Sequence, residues 1–375
     1  MARQLVVCLD GTGNRFDHHP THIVRLAGCL VDDPAQVLVY YDQGLGTFGL
    51  RETLFQWQKV PSRLLGVAFG WGLQPLVAGA YAFLAQHWQP GDRIFVFGFS
   101  RGAYAARALA ALLHSAGLLP GHQLNLFDDA WALLKARPGK GKQPDFALQA
   151  RFKKAFSRRV QVDFLGLFDT VKSIGWLYDP LVLPYTANNP IVRTVRHALS
   201  IDERRAFFRP NHWGNAGPRQ CVKEVWFAGV HADVGGGYPP AESQLALCAL
   251  RWMLGEAAAA GMALDSARVQ RQLAPAPGVR ASPEGRLHVS LQGLWWLAEW
   301  LPQVYWNTEL KRRCVRLGSM PPFGQPRPRA IAAGAWVHHS AMQRLHYQPV
   351  NWPQGARPAE DLPLRPAAGG TPPSL

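Results

Sequence analysis

This chain of 375 residues has little cysteine and little acid. Its five cysteines, Cys8, Cys29, Cys221, Cys248 and Cys314, are scattered and odd in number. None forms a Cys-x-x-Cys pair. That excludes a disulfide framework and a zinc site of familiar spacing, and it fits a reducing compartment. Met1 runs straight into strand-like Leu5–Leu9 without a basic-then-apolar leader, so no Sec signal is expected and the chain is read as cytoplasmic at synthesis. No Gly-x-x-x-x-Gly-Lys phosphate loop, nucleic-acid-binding motif or internal repeat occurs. Aspartates and glutamates number 25 against 40 lysines and arginines, a formal charge of +15. The excess suits an anionic lipid surface, and no nucleic-acid partner is expected. An arginine-rich surface without such a partner explains it equally well. The basic residues gather at Lys135–Lys142, Arg151–Arg159 and Lys311–Arg313. One stretch, Leu64 to Gln86, lacks charge and is long enough to span a bilayer. Its four glycines, Pro75 and the exit through Gln86-His87-Trp88 favour a buried helix packed on a sheet.

Hydrophobic residues make up 48% of the chain, enough for a large core. Five apolar runs read as buried parallel strands: Leu5–Leu9, Val37–Tyr41, Arg93–Phe97, Val162–Phe168 and Val222–Val230. Helical or long connections separate them. The expected fold is therefore α/β and α/β-hydrolase-like, with a mostly parallel central sheet, helices on both faces and cap or lid insertions. One domain over 1–350 is expected, with insertions near 118–161 and 265–329. The Pro-, Gly- and Ala-rich residues 351–375 read as a disordered tail.

The most informative stretch is Ile94–Arg107, IFVFGFSRGAYAAR. A β-rich run meets Gly98-Phe99-Ser100-Arg101-Gly102, and a small-residue helix follows. Gly-x-Ser-x-Gly between a strand and a helix is the pattern of a nucleophile elbow. The flanking glycines avoid a collision at a sharp turn. The serine then stands at a helix N-terminus, where backbone N–H groups favour developing negative charge. A serine hydroxyl needs a histidine base, and that base needs a carboxylate. Asp169 ends the strand VDFLGLFD and His231 ends VKEVWFAGVH, in the order Ser, Asp, His. A competing arrangement takes Asp233 as the acid with His338 or His339 as base. His197 is expected to order its own segment with Asp202 and Arg204. Amides of Gly11, Thr12 and Arg101 are the candidates for an oxyanion hole.

Asp10, in LDGTGN, also allows a phosphatase reading with an aspartate nucleophile. That chemistry wants a second acid two residues away, where Thr12 and Cys8 stand instead. Asp10 is thus expected to bind the loop or a cation. No metal site is expected. His231 and Asp233 are too few ligands, although calcium at Asp233 and its neighbouring glycine carbonyls is conceivable on charge alone.

Six motifs follow one another along the chain: LDGTGN, GDRIFVFGFSRGAYAAR, FDTV, HALSIDERR, FAGVHADVGGGY and HHSAMQR. Together they resemble the DUF2235 family, which includes catalytic domains of type VI secretion lipase effectors. The likeness runs from about residue 2 to 347. It implies an α/β-hydrolase fold and a Ser-Asp-His triad that falls on Ser100, Asp169 and His231. It also implies acyl-ester hydrolysis, with phospholipid as substrate, no cofactor, and export by a type VI system with a secretion or immunity partner. The chain departs from the large effectors in lacking their extended C-terminal membrane-targeting region. The expected function is a serine esterase or lipase of phospholipase type. The alternatives are a non-catalytic membrane- or secretion-associated binding module on a degenerate hydrolase fold, or the phosphatase at Asp10. The segment LQGLWWLAEWLPQVYW, with Trp295, Trp296, Trp300 and Trp306, reads either as a lid or membrane-facing patch or as a core helix.

Overall fold

A computed structural model describes residues 2–11, 19–44, 72–136, 145–171, 175–176, 179–180, 183–293, 295–300, 303–307, 312–316 and 326–364. Its centre is a sheet of eight strands: β1 Gln4–Leu9, β2 Val37–Asp42, β3 Arg93–Phe99, β4 Val162–Phe168, β5 Val192–Ser200, β6 Cys221–Phe227, β7 Trp336–His338 and β8 Arg357–Ala359. Their order is β8-β7-β6-β5-β4-β3-β1-β2, and every pairing is parallel. The fold is α/β with flanking helices, consistent with an α/β-hydrolase.

The strands read as continuous apolar runs because both sheet faces are covered. Period-two alternation still sorts the residues. Leu5, Val7 and Leu9 of β1, with Ile94 and Val96 of β3, form an aliphatic layer under α2 (Leu73–His87), α3 (Arg101–Ala116) and α4 (Phe127–Lys135). Val6 and Cys8, with Phe95, Phe97, Phe99, Phe164 and Phe168, face α1 (His22–Ala27) and α7 (Ala246–Ala259). Helix α5 (Phe146–Phe156) packs beside α3. Helix α6 (His231–Gly235) opens directly after β6, α8 (Ser266–Leu273) lies against α7, α9 spans Trp295–Ala298, and α10 spans His339–Gln343. Seven of the sixteen residues of α3 are alanine, which lets parts of it lie close on the sheet, while its large Tyr104 and Arg107 are fully buried.

Several sequence expectations shift. The run expected to end at Val230 ends as a strand at Phe227, because Gly229 turns the chain with φ of 105°. Strand β5 was not foreseen, since its Arg193, Arg196 and His197 mask the apolar pattern. Strands β7 and β8, three residues each, are too short to show a period. Strand β8 falls inside the stretch read as a disordered tail, and residues 365–375 lie outside the described residues. The uncharged stretch from Leu64 is described only from residue 72, where it becomes the buried helix α2. Among the described residues no helix is long and apolar enough to cross a membrane. Within the first expected insertion, Ala130, Trp131 and Leu134 of α4 join the core, and within the second, Gln303–Asn307 and Arg312–Arg316 pair as an antiparallel hairpin.

Strand order reverses between β1 and β3, with β1 flanked by β2 and β3. In open α/β sheets the crevice at the carboxyl ends beside such a reversal is where ligands bind. Register aligns those ends: Leu9 pairs Gly98, Phe99 pairs Phe168, and Phe168 pairs Ala198.

Candidate active site

Ser100 follows β3 and caps α3 with φ 59° and ψ −119°, a conformation a non-glycine residue adopts only under constraint. Its N–H donates to Phe168 O at 3.0 Å. The glycines on either side are needed. A Cβ on Gly98 would lie 2.6 Å from Ala103 Cα, and one on Gly102 would collide with the carbonyl oxygens of Leu9 and Asp10. The loop leaving β1 therefore runs against the first turn of α3. Asp169 is also in positive φ, at 39°, so two of the four described non-glycine residues with positive φ stand at adjacent strand ends.

Asp169 is fully buried and heavily bonded. His231 Nδ1 approaches its Oδ2 at 2.6 Å. Ser200 N donates to Oδ1 at 3.1 Å. Arg329 clamps both oxygens, Nη1 on Oδ1 at 2.5 Å and Nη2 on Oδ2 at 2.9 Å, and its Nη1 also donates to Ser200 O and Oγ. Burial opposes ionisation of Asp169. The Arg329 guanidinium, followed by the hydrogen bond and charge of His231, outweighs it and holds the carboxyl well below the usual carboxylate range.

His231 opens α6 and is sandwiched by aromatic rings, Phe99 at 4.7 Å and Phe208 at 4.9 Å between centroids. Phe99 is the chain neighbour of Ser100, so the imidazole packs against the end of the strand that carries the elbow. Because Nδ1–H is given to Asp169, Nε2 is the nitrogen left to act as base. Burial lowers the basicity of His231 against the pull of Asp169 and Glu203, which keeps the ring neutral at pH 7. Glu203 receives the His231 N–H at 3.2 Å and three further bonds from Arg205, at 2.9 Å each through its backbone N, Nε and Nη2. Arg205 in turn covers the Phe208 ring at 3.6 Å.

The remaining candidates separate. Asp233 does not meet His338. Its Oδ1 is bonded to His288 Nδ1 at 2.6 Å, and its Oδ2 accepts Val230 N and His288 N. Those donors take the oxygens that a calcium ion would have used. His338 bonds Ser340 Oγ and Asp361 instead, and His339 lies beside it against Asp361 and Glu360. His197 is not tied to Asp202 and Arg204. It bonds Glu224 at 2.7 Å and accepts Thr170 N at 3.1 Å, so it pins the turn after Asp169, and burial takes its pKa down to about 4. Asp202 is occupied by Gly229 N and Tyr347 OH. Asp10 is buried with one oxygen on Gly11 N at 2.6 Å and the other on Thr21 Oγ and Tyr41 OH, the bonding of a loop anchor rather than of an available nucleophile. That same bond uses the Gly11 amide, which removes it from the oxyanion candidates. Thr12 lies outside the described residues. Arg101 occupies the first turn of α3, where helix geometry leaves N–H groups without helical acceptors.

Arg329, Glu203, Phe208 and His288 were missed. Glu203 and Phe208 stood in or near the HALSIDERR motif, a signal that could have been used. Arg329 sits in a proline-flanked segment read as insertion, with no local pattern to mark it.

Above this cluster lies α9. Trp295 meets Phe208 edge-on at 5.3 Å, and Glu299 accepts Ala206 N at 2.6 Å. Trp295, Leu297 and Trp300 are 38%, 65% and 42% exposed. The segment is thus neither fully core nor detached. Trp306 and Lys311–Arg313 have no described side chains.

The catalytic domain of Tle1-like phospholipase effectors of the type VI secretion system matches residues 3–256. The chain belongs to this family. The resemblance to what was formerly DUF2235 is thereby borne out. The Tle1-like match ends before His288 and Arg329, so part of the cluster lies beyond it. A relative, the uncharacterized protein YEL023C of Saccharomyces cerevisiae, is 36% identical over 220 residues, 55% of this chain and 32% of that protein. The chain spans about a third of that relative's length. Two solved structures are 20% identical to it. One is an uncharacterized protein from Pseudomonas aeruginosa, with TM-score 0.43 over 72% of this chain and 47% of the other. The other is a Tle1 effector bound to the VgrG spike of the type 6 secretion system, with TM-score 0.33 over 65% and 53%.

Proposed function

We propose that this Tle1-like chain is a serine esterase that cleaves an acyl ester of a membrane phospholipid. Ser100 Oγ attacks the acyl carbonyl while His231 Nε2 takes its proton. The ester C–O bond then breaks, and His231 returns the proton to the leaving alcohol. Water, deprotonated by the same nitrogen, releases the fatty acid from Ser100. Asp169 fixes the His231 tautomer and stabilises the imidazolium. The amide of Arg101 and one from the loop after Gly11 hold the oxyanion. The observation that carries this reading is the strained Ser100 at a glycine-flanked elbow, beside an ionised Asp169 bonded to a neutral His231. The family supports the phospholipase class, and export through a type VI apparatus is the corresponding route. The exposed Trp295, Leu297 and Trp300, over a ring that touches His231, suit a surface that meets lipid at the mouth of the site.

Product analysis on phosphatidylglycerol and phosphatidylcholine vesicles tests the reaction. The wild type releases fatty acid and lysophospholipid, and Ser100→Ala releases neither. Release of a phosphorylated headgroup or of inorganic phosphate would replace this reading with phosphoester chemistry. No turnover on any acyl ester would favour the binding module.

A further inference from the structure

The motif HHSAMQR has no part in that chemistry. His338 ends β7, His339 opens α10, and Glu360 and Asp361 directly follow β8. Parallel register sets His338 opposite Ala359, which draws the residues after each strand together. His338 Nε2 lies 3.2 Å from Asp361 Oδ1, and His339 Nε2 lies 3.9 Å from Asp361 Oδ2. One ligand atom from each of the three lies within 4.8 Å of the others. Glu360 Oε2 is 3.3 Å from His339 Nδ1.

Both rings are held in place by their neighbours. His338 is buried and stacks on Phe227 at 4.5 Å, with Ser340 Oγ 2.8 Å from its Nδ1. Nδ1 also lies 3.3 Å from Ser340 N, whose N–H it caps, so ligation through Nε2 moves the ring proton to Nδ1, where Ser340 Oγ accepts it as the partner that a ligating histidine needs. The two imidazoles lie 4.1 Å apart, an arrangement that a shared cation would join. The neighbouring cation is Arg251, 3.4 Å from Asp361 Oδ2, and its side chain is more than half exposed and can turn into solvent.

We propose that His338, His339 and Asp361 form a zinc-class metal site, with Glu360 or water as fourth ligand. Two imidazole nitrogens and a carboxylate suit Zn²⁺ rather than Ca²⁺ or Mg²⁺, which prefer all-oxygen sets. Bonds of about 2.0–2.1 Å in a tetrahedron place ligand atoms roughly 3.4 Å apart, so closing this cluster needs small side-chain shifts. The ion would fasten the three-residue edge strand β8 to β7 and so tie the C-terminal segment to the sheet. The carboxylate lies 23 residues after His338 in sequence, which is why no spacing pattern announces the site.

The test uses the full chain without a histidine tag, stripped with EDTA and then titrated with Zn²⁺. Bound metal is counted after dialysis, and Tm is read with and without the ion. One zinc per chain and a Tm rise of a few degrees are expected. His339→Ala and Asp361→Asn should weaken uptake at least tenfold and abolish the Tm rise. If either variant folds poorly, Co²⁺ in the wild-type chain decides, since an imidazole–carboxylate tetrahedron gives intense visible bands. Absence of a stoichiometric ion in the wild type, octahedral-weak cobalt bands, or equal uptake by wild type and folded variants would overturn the proposal. The last result would mark adventitious binding by other histidines.

Discussion

Two aspartate–histidine pairs lie side by side in this molecule, and each has an Nδ1–carboxylate separation of 2.6 Å. His231 of one pair and Asp233 of the other are two residues apart. What differs is everything around the contact. Behind Asp169 stands the Arg329 guanidinium, which keeps the carboxylate ionised, and the far nitrogen of His231 has no bond among the described residues. Among the described residues, no guanidinium is bonded to Asp233. Burial outweighs its hydrogen bonds from Val230 and His288 and raises its pKa. The far nitrogen of His288 is spent on Glu242 at 3.0 Å, and Tyr238 covers the ring at 3.6 Å. The first pair joins an ionised acid to a neutral ring whose Nε2 has no bond among the described residues, and the second holds residues 282–290 against the loop after β6. A short Asp–His distance does not by itself mark a catalytic pair. On the proposed reading, the cation behind the acid and the uncommitted nitrogen are what set the first pair apart.

The comparison breaks most visibly at the first pair. His231→Ala should cost on the order of 10³-fold or more in kcat on a p-nitrophenyl ester, with Ser100→Ala adding little to it, because members of such a unit fail together. An additive double mutant would mean that they act separately. For the wild type, kcat/KM should fall as pH drops through an apparent pKa below about 6.5, because burial lowers that of His231 and only the neutral ring is a base.

Arg329 sharpens the contrast. Arg329→Met should lower kcat on the order of 10- to 100-fold through a loosened Asp169. The full charge of Asp169 then acts on His231, favours the imidazolium, and moves the acid limb of the pH profile upward. Arg329→Lys, which keeps the charge but not the two-pronged grip, should recover part of both effects. A variant that merely unfolds would lose Tm without moving the limb.

The smallest effect on chemistry should come from the second pair. His288→Ala leaves Asp233 buried without its main partner, a loss of about 1–3 kcal/mol that a falling Tm would register. Turnover at 25 °C should stay within about tenfold of wild type. A loss as deep as that of His231→Ala would erase the distinction drawn above.

Much of this was legible in the chain. The elbow around Ser100 was readable because a sharp turn demands glycine at 98 and 102. Asp169 and His231 were readable as residues just past apolar runs, since carboxyl strand ends carry function in such sheets. Arg329, Glu203 and His288 were not, because their partners come from distant segments and a buried ion pair leaves no periodic trace. The short strands β7 and β8 failed for a related reason: three residues held by pairing alone show no pattern. The oxyanion candidates went astray at Gly11, where a local carboxylate competes for the amide.

The most direct test of the central claim is labelling with a fluorophosphonate, which reacts only with an activated serine. Peptide mapping should find one phosphonyl adduct per chain on Ser100. It should be absent in Ser100→Ala, slowed by on the order of 10³-fold in His231→Ala, and unchanged in His288→Ala. An adduct on another serine, or an esterase-active chain that takes no label at Ser100, would contradict the account.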